Sequence, residues 1–170
     1  MEFGLISLPF FALLGGIIQI AFVIWAAQNL DFMLQKTARE IFTGTFQTQN
    51  AGVTDSSTLL TKLKAIMCQS GRATVFDCSS VKLDVVLGSS LGTSVATSPL
   101  DPITKDWSSG FGSNYSCAAP GKIVVIRAAV KFPVFFTLMA SGLQNFADGS
   151  KLLQSTLVFR TEPYTTTSTC

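Results

Sequence analysis

Histidine is absent from this chain, and that absence excludes more than any other feature of its composition. It removes the commonest general base, the usual partner of a nucleophilic Ser or Cys, and the commonest transition-metal ligand. Charge is scarce too: 13% of the 170 residues are Asp, Glu, Lys or Arg, against a usual share of about a quarter. The net charge of +2 comes without a basic cluster, so no nucleic acid is expected as a partner. The cysteines lack the paired C-x-x-C spacing of zinc sites, and Asp77, Asp84, Asp101 and Asp106 show no paired acid and base spacing. No catalytic, cofactor-binding or metal-ligating residue is therefore expected, and the chain does not read as an enzyme.

The longest gap in charge is local. Residues 3–30 contain no Asp, Glu, Lys or Arg, and as a helix this run would reach roughly 40 Å, enough to cross a hydrocarbon core of about 30 Å. A cleavable secretory signal would have a shorter apolar region and a basic front, and Trp25-Ala26-Ala27 puts a bulky side chain where a small one is needed. The expectation is a retained anchor in contact with membrane lipid. Within it, Gly15-Gly16 either admits a neighbouring helix closely or makes a flexible point near Pro9. Gln19, polar at mid-membrane, is expected to bond a neighbouring helix or its own backbone.

The helical pattern continues into water. Leu30, Met33, Leu34, Thr37, Ala38, Ile41 and Phe42 share one face, with Asp31, Gln35, Lys36, Arg39 and Glu40 on the other. The stripe reads first as packing against the domain that follows, and second as a surface for a partner helix. Gly44 is the first plausible stop. The chain thus divides into a transmembrane and stalk helix over residues 1–44 and an extracytoplasmic α+β domain over residues 45–170.

In that domain a polar stretch over residues 45–54 precedes a helix capped by Thr54 or Asp55, with Leu59, Leu60, Leu63, Ile66 and Met67 on one face. Val81, Leu83, Val85 and Leu87 alternate with Lys82 and Asp84 as a half-buried strand. Residues 122–132 form a stronger strand that Pro133 ends or places at an edge, and residues 152–160 a third. Three strands suffice for a small antiparallel sheet on which the helix packs. Residues 135–142 could add a short helix before an Asp148-Gly149 turn. The Ser- and Gly-rich residues 88–121 have no period, and Trp107, Phe111 and Tyr115 can tack them to the sheet. Gly110-Phe111-Gly112-Ser113 resembles a phosphate-cradling loop, but lacks a following helix and a P-loop lysine and so reads as turn chemistry.

An even count of four cysteines behind an anchor reads as two disulfides in an oxidising compartment. Cys68 closes the helix and Cys78 opens the strand, with Gly71 between them for the turn, which favours a Cys68–Cys78 bridge. That leaves Cys117 to pair with Cys170, unless Cys170 is a free or intermolecular thiol.

The Glu2-Phe3-Gly4-Leu5 start, Leu8-Pro9-Phe10, Gln28-Asn29-Leu30-Asp31 leading to Ala38-Arg39, and Thr43-Gly44 recur in order with Phe76-Asp77-Cys78 and Phe159-Arg160-Thr161-Glu162-Pro163-Tyr164. Together they resemble the TadE-like family of tight-adherence (Tad or Flp) pilus assembly proteins, whose members follow the type IV pilin plan. The resemblance implies a single-pass pseudopilin or minor pilin of the bacterial inner membrane. Its C-terminal domain would lie in the periplasm, and the protein would help build an adhesive pilus. The implied partners are other pilin or pseudopilin subunits and the assembly machinery, in a homo-oligomer or filament. In such families the Glu beside the processed N-terminus pairs with the amino terminus of a neighbouring subunit; on its own physics Glu2 could simply snorkel. Glu2, Phe3, Gly15, Gly16 and Gln19 are thus the expected assembly contacts. Prepilins also carry a short basic leader ahead of the Glu, whereas Met1 alone precedes Glu2 here, leaving open a longer precursor or a different processing. The alternative function is a membrane-anchored periplasmic binding module whose residues 88–121 contact a ligand or partner.

Overall fold

The computed structural model describes residues 2–69, 75–88, 98–136 and 142–164. Helix α1 (Glu2–Phe42) runs unbroken through Pro9. Its first half is open: Ile6, Leu8, Phe11 and Ile17 each expose more than half their surface. Its second half is the reverse, with Leu30, Met33, Leu34, Thr37 and Ile41 fully buried. The stalk stripe therefore packs on the domain, the first of its two readings. Gly44 stops the helix as expected, in the left-handed region at φ 77° that a residue without Cβ enters at little cost.

The polar stretch expected next is instead a helical turn, α2 (Thr45–Gln49), which buries Phe46 and Gln47. Five residues are too few for a periodicity to register. Helix α3 (Ser56–Met67) starts where Asp55 accepts from the Thr58 N–H at 2.8 Å, and it buries Leu59, Leu60, Leu63 and Met67.

Strands β1 (Lys82–Gly88), β2 (Ile123–Phe132) and β3 (Lys151–Arg160) form an antiparallel sheet in the order β1-β2-β3. Val85 lies opposite Ile126, and Ile126 opposite Leu157. The fold is α+β with a pilin-like layout: a long N-terminal apolar helix, then a three-stranded sheet with helices on it. Because β2 is central, Pro133 ends it rather than marking an edge. One sheet face, with Val124, Ile126, Ala128, Val130, Leu83 and Val85, joins the α1 and α3 core. On the other, Val125, Ala129 and Asp84 are buried too, so β1 is covered on the side where alternation predicts exposure.

The described part of the long loop provides that cover. Val85 N donates to Asn114 O at 2.9 Å and Ser116 N to Val85 O at 2.8 Å, adding one parallel rung at Tyr115 beyond the β1 edge. Trp107 stacks on Phe111 at 6.1 Å and meets Phe146 at 5.0 Å. Gly149 makes the expected turn, its N–H donating to Phe146 O at 3.1 Å. The helix expected over 135–142 falls mainly outside the described residues, and Phe135 and Phe136 at its start are not helical.

Cys68 and Cys78 are joined with their Cα atoms 6.1 Å apart. Cys117 is disulfide-bonded as well, while Cys170 and the Cys117–Cys170 pairing lie outside the described residues. Replacing Cys68 and Cys78 together by Ser should lower stability by about 3 kcal/mol, the chain-entropy value for closing so short a loop. Urea titration of the purified full chain checks this, and an unchanged midpoint would contradict it.

Candidate assembly face and the flanking cleft

The expected assembly residues separate into two groups along α1. Gly15, Gly16 and Gln19 are buried together, whereas Glu2 and Phe3 open the helix about 20 Å away at 1.5 Å per residue. The cover over the first group comes from the chain itself, just past β2. The Phe135 N–H donates to Gln19 Oε1 at 2.9 Å, and a Cβ on Gly15 would lie 2.8 Å from the Phe136 ring. Gln19 Oε1 thus accepts from a backbone group 116 residues away, a proximity that no local pattern encodes. Its Nε2 is buried without a partner among the described residues.

At the stalk's far end the segment after β3 acts as a strap. Glu162 N donates to Phe42 O at 3.0 Å, and Thr161 N to Lys122 O at 3.0 Å. The Tyr164 ring lies where a Cβ on Gly44 would fall, at 2.6 Å, and its hydroxyl donates to Ala118 O. Thr43-Gly44 and Thr161-Glu162-Pro163-Tyr164, far apart in sequence, therefore meet in one joint that fixes the stalk to the sheet.

The carboxylates are occupied by the chain's own turns. Asp84 accepts from Gly112 N at 3.2 Å, Asn114 N at 3.0 Å and Asn114 Nδ2 at 3.3 Å. Gly110 and Gly112, both at positive φ, thus shape a real anion cradle whose anion is Asp84. Arg127 lies opposite Asp84 in the register; burial pulls its pKa down and the Asp84 charge partly restores it. Lys131 bridges Asp106 at 3.0 Å and Asp148 at 2.9 Å. Hydrogen bonds from Ser150 and then Lys131 hold Asp148 down to about 2. Asp77 and Asp101 cap local turns through Ser79 N and Ile103 N.

A cleft of about 560 Å³ opens between α3, β1 and the loop, lined among others by Lys64, Lys82, Lys131 and Trp107. Desolvation lowers the Lys64 pKa, and Lys82 Nζ sits 4.8 Å above the Trp107 ring. Burial raises the Tyr115 hydroxyl strongly. Among the described residues no three acidic or cysteine side chains come together as a metal site.

Sequence signals alone missed the Gln19–Phe135 bond and the Asp84 cradle. The second had a trace in the Gly-x-Gly spacing, read as a turn without its anion.

By length and composition α1 can cross a membrane. No curated protein and no solved structure matches the chain. Residues 1–39, which cover the apolar half of α1 and most of the stalk, match the family model described as TadE-like protein. The N-terminal helix is thus TadE-like, as its residue pattern suggests, and this supports involvement in Tad pilus assembly.

Proposed function

We propose that this chain is a structural subunit, a pseudopilin or minor pilin, that takes part in building a Tad (Flp)-type adhesive pilus by packing its N-terminal helix against other subunits. The coincidence of two features on one helix carries this. The TadE-like match falls on α1, and α1 leaves most of its apolar first half uncovered, Gly15, Gly16 and Gln19 excepted, while its own domain buries the stalk half. What remains for lipid and for other subunits is the stretch led by Glu2 and Phe3. The domain lies in the periplasm behind a single inner-membrane span, and the protein's work is assembly rather than catalysis.

A second reading, an anchored binding module, is favoured by the cleft at Lys64, Lys82 and Trp107. Against it, Trp107 already packs on Phe111 and Lys82, and Lys131 is already neutralised by two carboxylates. Deleting the gene in its native cells separates the two. The subunit role predicts loss of pili, restored by the complementing gene, with the protein in the membrane and sheared-filament fractions. Normal pilus numbers in the deletion would overturn it.

A further inference from the structure

We infer that residues 133–136, directly after β2, are a second lipid contact that dips into the domain-facing leaflet of the membrane α1 crosses. The inference rests on α1 being a membrane span. Residues 132–147 carry no Asp, Glu, Lys or Arg, so no charged side chain in this stretch opposes a place in lipid. Phe135 is 65% exposed and Phe136 43% exposed, a costly placement in water for two adjacent aromatics.

Their depth follows from α1. Phe135 N is bonded to Gln19, six residues on the membrane side of the exposed Trp25, or about 9 Å at 1.5 Å per residue. Trp marks membrane–water interfaces, and amphipathic segments sink about 5–10 Å below the headgroups, so Phe135 sits at the acyl boundary. Non-helical backbone at that depth needs internal partners, since lipid offers none. Gln19 supplies one to the Phe135 N–H, which gives a polar residue in the middle of an apolar helix a physical reason to be there. Gly15 supplies the room, as any side chain there would strike the Phe136 ring. Tied to the helix at Gly15 and Gln19, the loop holds the domain at a fixed roll against the membrane.

A nitroxide on Phe135→Cys, in the full chain with native disulfides intact and reconstituted in phosphatidylethanolamine and phosphatidylglycerol vesicles, tests this. Relaxation by oxygen should exceed relaxation by a water-soluble nickel chelate several-fold, as it should at Ile17→Cys on the span; Ile103→Cys, fully in water, should show the reverse. Phe136→Cys gives the second reading should Phe135→Cys fail to fold. Nickel dominance at the loop with oxygen dominance at Ile17 would overturn the inference while leaving the span intact. Low access to both reagents would place the loop against protein rather than lipid and overturn it equally. Nickel dominance at Ile17 would instead bring down the span, and the inference with it.

Discussion

Phe46→Ala should destabilise the domain by about 3–5 kcal/mol, a large part of the 5–15 kcal/mol usual for a domain. Phe46 is fully buried, its ring centroid 5.8 Å from that of Tyr115, between the end of the stalk and the loop rung on β1. Its carbonyl also accepts from Asn50 N at 3.1 Å and Asn50 Nδ2 at 2.9 Å, so the backbone around it is pinned. A pinned wall cannot collapse into the space left by the ring, and the cavity term adds to the lost transfer energy. Phe46→Leu keeps most of the volume and should cost less than about 1.5 kcal/mol. Urea unfolding followed by circular dichroism in detergent reads both, and a Phe46→Ala cost below about 1 kcal/mol would contradict this packing.

Asp84→Ala should cost about 1–3 kcal/mol, by a different route. The carboxylate is 4% exposed and accepts from two backbone N–H groups and the Asn114 amide. Removing it leaves those donors without their acceptor, and takes away the negative charge opposite Arg127. Asp84→Asn retains one acceptor oxygen and should lose less. Hydrogen exchange adds a local readout: the Gly112 and Asn114 amides should lose protection in Asp84→Ala, and their continued protection would show that the cradle does not depend on Asp84.

These two residues also mark where sequence stops informing structure. The stalk stripe from Leu30 to Ile41, the Asp55 cap and the inward faces of β1 and β2 are local periodicities, written in neighbouring residues and legible there. Asp84 alternates like a solvent-facing residue, and only a loop arriving from about thirty positions on buries it. Phe46 is a lone aromatic in a polar stretch, which no periodic test detects. The candidate site divides in the same way. Apolar length alone places α1, and its opening residues and stalk pattern give the TadE-like resemblance that the family match at 1–39 agrees with. The cover over Gly15 and Gln19, and the joint of Gly44 with Tyr164, depend on contacts across most of the chain.

The subunit role depends most directly on Glu2. A carboxylate at the edge of hydrocarbon is costly unless it meets headgroups, water or a cation. The first basic residue along α1 is Lys36, about 51 Å away at 1.5 Å per residue, so no side chain of this helix can neutralise it. If Glu2 pairs with the amino terminus of a neighbouring subunit, its charge matters to assembly and not to insertion. The deciding measurement is the count of pili on cells carrying Glu2→Gln or Glu2→Ala at matched expression. Membrane insertion and the Cys68–Cys78 bridge are followed in the same cells. Pilus number should fall sharply in both variants while insertion and the bridge remain normal; wild-type numbers in both would contradict assembly through Glu2.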